Sequence, residues 1–370
     1  MTCDYLFCGL GMSAMVVLRE LDAHGLLEGK KIIVLEQQPQ IEERFWCFWE
    51  QGDGLWDGLL SGRWNNARVT DGALQKEVLD GLTYKCIRSG DMRQITNQLL
   101  GRKGAEIRLE TMTDWTDAGK QVHVRTQANQ YTTQFLINSA AAPSAITKPV
   151  LLQHFEGWLV RSCPGTFDAT TATLMDFSVA QKGNTRFMYV LPFSDDTALV
   201  EYTLFSPDLI EPQQYDAAIA DYLRERGIFD YSIIGKEKGV VPMTAHRFWD
   251  ANTKNTLHIG TAGGWTKASS GYTFLKATRL ARQLAEMLQQ PSVDFSHFYR
   301  PTRFDWYDRL LIDVLYRDNA LGKELFTRLF FNTRPGVVMR FLAESTTWTE
   351  ELPVLWACPK KPFLAALTRL

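Results

Sequence analysis

Two stretches of the chain hold residue types whose spacing could do chemistry. The first is Gly9-Leu10-Gly11-Met12-Ser13-Ala14, a Gly-x-Gly-x-x-Ala turn after the apolar run Asp4-Tyr5-Leu6-Phe7-Cys8. Glycines at such a turn let the backbone approach a pyrophosphate, and a helix opening at Met12, Ser13 and Ala14 would attract its negative charge. Glu36 closes the next apolar run, Ile32-Ile33-Val34-Leu35, where an acid can take ribose hydroxyls. The second is Glu201, set in Ala198-Leu199-Val200-Glu201-Tyr202-Thr203. A strand Glu in so apolar a stretch either faces water or sits desolvated in a pocket. In the second case it stays protonated at neutral pH and can donate a proton. Spacing alone leaves both open. The six His do not cluster, so no metal site is expected, and no Gly-x-Ser-x-Gly nucleophile turn is present.

The elements that must position these groups follow from the apolar pattern. Strand, tight turn, helix and strand fall in order from 4 to 36. Both strands are apolar throughout, as a parallel sheet covered on two faces requires. From 37 to 89 the chain is rich in Trp, Gly and turn signals. A helix is expected from Asp91, as its cap, to Leu100, with Arg93 near its start. Residues 105–138 read as strands, and 150–250 as antiparallel strands with a hairpin at Ser194-Asp195-Asp196 and one helix near 213–227. Leu257 to Gly260 returns to a buried strand, followed by a Gly/Ser-rich loop and a helix near 274–289. Residues 295–370 read as helices broken at Pro335, Pro353, Pro359 and Pro362. The layout predicts an α/β (α+β) chain with a Rossmann-like βαβ nucleotide domain in two pieces, 1–150 and 250–292. A sheet-rich substrate domain, 151–249, would lie between them, and a helical region, 293–370, would follow.

Composition narrows the classes. With 370 residues, 45% of them hydrophobic, the chain can bury a sizeable core, and a net charge of -2 gives no basic face for nucleic acid. The six Cys are scattered without a CxxC pair, as in a reduced cytoplasmic protein, and the N-terminus reads as fold-forming sequence with no signal peptide. No apolar run reaches the roughly 20 residues that a membrane span needs.

Two resemblances sharpen this reading. Ile259-Gly260-Thr261-Ala262-Gly263-Gly264, with Ser269-Ser270-Gly271-Tyr272-Thr273 before a helix, resembles the close of the nucleotide domain in FAD-binding folds of the hydroxybenzoate-hydroxylase type. That favours FAD over NAD. It implies cofactor contacts at Gly260, Gly263, Gly271 and Tyr272 besides Gly9 to Ala14 and Glu36, with Arg93 against the pyrophosphate. Met175-Asp176-Phe177-Ser178-Val179-Ala180-Gln181, then Arg186 to Ser194, then Ala198 to Thr203 resemble the lycopene cyclase family, whose members run "MDxxV(D)Q…RFxYxLP…LxxExT". Arg44-Phe45-Trp46-Cys47-Phe48-Trp49 is similar to the family's early "TWxFH/W" stretch and adds Arg44 to the cofactor set. Ala268 to Phe274 and Phe304 to Leu311 match two later segments. The sequence departs from the family at Trp49, where many members have His, and at Ala268-Ser269-Ser270, where Pro-Thr-Thr is usual.

The resemblance to lycopene cyclases implies a redox-neutral, acid-catalysed closure of the linear ends of lycopene into β-rings. The family's essential acid falls on Glu201 as proton donor. Reduced FAD would be the active cofactor, with NAD(P)H as the source of electrons. Trp46, Phe48, Trp49 and Tyr189 are candidate faces for the cation, though any one of them taken singly reads first as core packing. The carotenoid would be drawn from a bilayer by a peripheral protein. Leu325 to Phe331, Val337 to Leu342 and Phe363 to Leu370 mix Arg with large apolar residues and read either as interfacial helices or as core. Two other functions fit the same residues: a redox flavoenzyme of this fold, such as an isoprenoid reductase or aromatic hydroxylase, and a non-catalytic flavin- or polyene-binding protein.

Overall fold

A computed structural model describes residues 1–38, 42–140, 146 and 149–370. The first sheet has the order β8 (Glu106–Leu109), β2 (Ile32–Glu36), β1 (Thr2–Cys8), β11 (Gln130–Asn138), β10 (Val122–Thr126) and β9 (Met112–Asp117), with β17 (Thr256–His258) on the far end of β11. β1 runs parallel to both β2 and β11. Leu6 and Phe7 are fully buried on opposite faces of β1, which is why its run is apolar without alternation. Helix α1 (Met12–Ala23) covers one face and packs on α4 (Phe274–Leu288). The inward stripe of α4 is Phe274, Ala277, Leu280, Ala281, Leu284 and Ala285, at helical spacing. Each buried Leu there is worth about 2 kcal/mol.

The second sheet has the order β16 (Tyr231–Thr244), β12 (Val150–Ser162), β15 (Thr197–Ser206), β14 (Thr185–Pro192), β13 (Thr171–Asp176), β5 (Asn66–Thr70) and β6 (Gln75–Glu77). The hairpin expected at 194–196 joins β14 to β15, with the Phe193 N–H donating to the Thr197 carbonyl at 2.9 Å. Helix α3 (Pro212–Glu225) covers one face, where Val200, Tyr202 and Leu204 meet Tyr215 and Ile219. The stretch rich in Trp and turn signals, 37–89, also forms strands. β3 (Phe45–Glu50), β7 (Thr83–Arg88) and β4 (Leu60–Trp64) make a small third sheet, and β5 and β6 pair into the second.

The helix expected from Asp91 is α2 (Ser89–Arg102), which starts two residues earlier. Its cap is supplied from a distance: the Glu43 carboxylate accepts from the Gly90 N–H and the Ser89 hydroxyl, both at 2.9 Å. Asp91 lies in the first turn instead. At the other end of the chain, α5 (Arg303–Arg317), α6 (Gly322–Phe331), α7 (Val337–Leu342), α8 (Trp348–Ala357) and α9 (Lys360–Leu367) pack over the second sheet. Lys267, fully buried, ties them to the 260–273 loop by donating to both oxygens of Asp308 at 2.8 and 3.0 Å.

Candidate active site

The second sheet builds the candidate site by its register. Tyr189 on β14 lies opposite Glu201 on β15. Glu201 lies opposite Gly157 on β12, and Gly157 lies opposite Glu237 on β16. Directly opposed residues share a sheet face, so these four form one transverse row. A Cβ on Gly157 would stand 3.4 Å from Glu201 Cβ, 3.4 Å from Glu237 Cγ and 3.1 Å from Leu199 Cδ1. Its absence lets the two carboxyls meet over the middle strand.

Both acids are nearly dry, with Glu201 7% and Glu237 6% exposed. Burial pushes the Glu201 carboxyl up to about 7, against the pull of hydrogen bonds from Thr203 and Glu237 and of the Arg44 charge. Thr203 Oγ1 donates to Glu201 Oε1 at 2.5 Å. Glu237 is driven well above the usual carboxylate range, by burial first and then by repulsion from Glu201. Its Oε2 accepts the Phe45 N–H at 3.2 Å.

The row forms part of the wall of a mainly apolar cavity of about 580 Å³. Gly11, Met12, Ser13, Gly260, Thr261 and Gly271 line it on the side of the glycine turn. Phe155, Phe187, Tyr189, Glu201, Glu237 and Tyr272 line its middle. Leu310, Phe326, Phe330, Met339, Phe341, Leu355 and Phe363 line it from the C-terminal helices. Tyr84 hydrogen-bonds Tyr189 at 2.8 Å and Tyr272 at 3.2 Å, which ties the row to the 260–273 loop.

Of the expected cofactor residues, Gly11, Met12, Ser13, Arg44, Gly260, Gly271 and Tyr272 line this cavity. Gly9 (φ +83°) makes the turn from β1, and nothing lies within 4 Å of a Cβ built on Gly11, so the backbone there is open to a ligand. Ala14 is buried in α1. Glu36 accepts the Leu10 N–H at 2.9 Å, and Arg93 donates to the Leu10 carbonyl at 2.6 Å, so both brace the turn. Gly263 sits under the His258 carbonyl, which a Cβ would meet at 2.0 Å, and it does not line the cavity. Among the described residues, Arg44 Nη1, Ser270 Oγ and Gln153 Oε1 are buried without hydrogen-bond partners, and all three residues line the cavity. Unmet donors and an acceptor beside an open glycine turn suit a large polar ligand such as a flavin dinucleotide.

Among the candidate cation faces, Trp46 and Tyr189 line the cavity. Phe48 stacks on Phe274, and Trp49 donates its indole N–H to the Met339 carbonyl at 2.9 Å, so both are core. The helices read as interfacial also divide. α6 and α7 are core, with Leu325, Phe330 and Met339 buried, because their apolar faces close the cavity over the second sheet. The exposed apolar face lies on α8 and α9 instead: Trp356 is 79%, Trp348 65% and Leu352 64% exposed, joined by Leu364 and Leu367. Among the described residues no helix is long and apolar enough to cross a membrane.

Glu237 escaped the sequence reading because Lys236-Glu237-Lys238 looks like a solvated charge run. The available signal was the period of two along β16, which sets Glu237, Gly239, Val241 and Met243 on one face.

Solved structures share the fold. The flavin-dependent brominase Bmp2 aligns over 100% of this chain and 99% of its own at 14% identity, with a TM-score of 0.62. A geranylgeranyl bacteriochlorophyll reductase-like protein from Thermoplasma acidophilum aligns over 99% and 96% at 12% identity, TM-score 0.59. Lycopene beta-cyclases are similar in sequence: that of Paracoccus sp. (strain N81106 / MBIC 01143) is 27% identical over 208 residues, and that of Pseudescherichia vulneris 31% over 210 residues. Each match spans 52% of this chain and 53% of the relative, about half the length of the curated protein. The family model described as "Lycopene cyclase protein" matches residues 4–368, nearly the whole length, and the chain belongs to that family.

Proposed function

We propose that the protein is a lycopene β-cyclase with Glu201 as its proton donor. The observation that supports this most is a buried carboxyl, pushed up to about 7, on the wall of an apolar cavity that reaches the glycine turn. An isolated alkene needs a neutral carboxylic acid as its proton source, and burial is what keeps one neutral. In the reaction the Glu201 O–H breaks and the terminal alkene of the polyene gains a C–H bond, leaving a tertiary cation. The neighbouring alkene supplies the electrons for the ring-closing C–C bond. Loss of an adjacent proton to the Glu201 carboxylate then forms the ring double bond, with no net redox change. Tyr189 and Trp46 offer π-faces to the cation, and the phenylalanines exclude the water that would quench it.

FAD would be held by Gly11, Ser13, Arg44, Gly260 and Gly271, with Glu36 and Arg93 bracing the turn. In its reduced form, with NAD(P)H as electron source, it would supply negative charge beside the cation. The substrate would arrive from a lipid surface on which the α8–α9 face rests, since Leu355 on α8 both lines the cavity and is exposed.

Expression in lycopene-accumulating cells tests this reading. γ- or β-carotene should appear by chromatography with the mass of the substrate, and Glu201→Gln should abolish it. Lycopene left unchanged by the wild-type protein, or a reduced product formed with NADPH consumption, would refute it.

A further inference from the structure

The cyclase reading uses one carboxyl, yet the site holds two. We propose that Glu237 is a positioning residue: a permanently protonated acid that donates a hydrogen bond to Glu201 and holds the Glu201 carboxylate once its proton has gone to the substrate. The inference rests on the cyclase reading.

Three observations of geometry support it. Glu201 and Glu237 flank Gly157 on neighbouring strands, in register, with no side chain between them. The Phe45 N–H occupies Glu237 Oε2, so the proton of Glu237 belongs on Oε1. Thr203 occupies Glu201 Oε1 from its own strand. Two dry carboxyls in hydrogen-bonding reach of each other cannot both ionise, so the pair keeps a proton after Glu201 gives one up. That remaining proton lowers the cost of the Glu201 carboxylate and keeps it aimed at the ring proton it must take back. The proton leaves Glu201 and returns to Glu201, so Glu237 neither gains nor loses one.

The groups facing the pair are few. Arg44 precedes β3 and favours the Glu201 carboxylate. Cys47 on β3 faces Glu237, Cys86 on β7 lies beyond it, and Tyr189 and Tyr272 close the side toward the 260–273 loop. Thr203 is the neighbour on β15.

Infrared spectroscopy of substrate-free protein gives the first test, independent of turnover. At pH 8.5 a carboxylic-acid C=O band should persist in wild type and in Glu201→Gln, and vanish in the double variant Glu201→Gln/Glu237→Gln. If the double variant keeps the band of Glu201→Gln, or Glu201→Gln lacks it, Glu237 is not the proton holder and the proposal fails. The second test compares Glu237→Gln, which keeps an N–H donor, with Glu237→Leu, which has none. Losing the donor should cut kcat roughly 10- to 100-fold in Glu237→Leu while KM holds. The upper pH limit of kcat/KM should move upward in the same variant, because the Glu201 carboxylate has lost a stabilising bond. Glu237→Gln should fall between Glu237→Leu and wild type on both readouts. A uniform fall with no movement of the pH limit would mean a merely structural role and overturn the proposal. Should Glu237→Leu fail to fold, the infrared comparison decides alone. A missing band in an active cyclase refutes the pair and spares the cyclase. A persistent band in a protein that leaves lycopene unchanged refutes the cyclase and spares the pair.

Discussion

Replacing Glu201 with Gln should change how stability depends on pH, by an amount the structure sets. Burial lifts the carboxyl from its ordinary 4.5 to about 7. Between those values the folded chain keeps the proton and the unfolded chain has lost it, so folding binds a proton and wild-type stability falls as pH rises. The effect is absent below pH 4.5 and complete above 7. About 2.5 pH units at ~1.4 kcal/mol each gives a loss of about 3 kcal/mol across the window. A glutamine cannot ionise and escapes that loss. Glu237 is raised chiefly by burial, which the substitution leaves in place. Urea midpoints at pH 5, 6, 7 and 8 for the two proteins provide the assay. The stability of Glu201→Gln relative to wild type should climb by about 2.5 kcal/mol over the series, most steeply between pH 5 and 7. A difference that stays flat with pH would mean that Glu201 is hydrated or ionised in the fold, and the reasoning from burial would be wrong.

Three further outcomes are expected. Gly157→Ala puts a methyl 3.4 Å from both carboxylate stems, so turnover should drop roughly tenfold while the unfolding free energy from urea titration falls by about 1 kcal/mol; unchanged turnover would show that the two acids need no contact. Lys267→Met leaves Asp308 buried without its cation, costing about 3 kcal/mol in denaturant unfolding, and adding Asp308→Asn should recover part of that. Leu352→Ser with Trp356→Ser should reduce co-flotation with phosphatidylglycerol vesicles without lowering the melting temperature, because both side chains already face solvent; undiminished flotation would place the lipid contact elsewhere.

The βαβ opening was plain in the sequence because both its strands are buried on two faces and its turn needs glycine. Glu201 was harder. Period two normally separates a wet face from a dry one, but β15 is buried along nearly its whole length. Its odd-numbered residues face the cavity and its even ones face α3, so both faces read as apolar and the Glu could not be assigned by alternation. Glu237 presents the reverse problem, since its strand is exposed or half-buried along most of its length and one inward acid is masked by lysines on either side. The cap of α2 was misread because Glu43 is distant in sequence, and local spacing sees only Asp91. α6 and α7 resemble surface helices by composition, yet the arginines sit at their rims while Leu, Phe and Met fill the cavity wall.

The crossing of the 66–77 hairpin into the second sheet has a consequence for synthesis. β5 runs beside β13, the one parallel pair in a sheet otherwise antiparallel among the described residues, and must wait for residues 171–176 before it finds that partner. β17 in turn completes the first sheet only when residues 256–258 have emerged. Neither sheet can therefore finish on the ribosome before the other is well advanced, and unpaired edges persist through much of translation. Cutting the gene between the sheets for separate expression would strand a hairpin of one in the fragment that holds the other, and both pieces should aggregate.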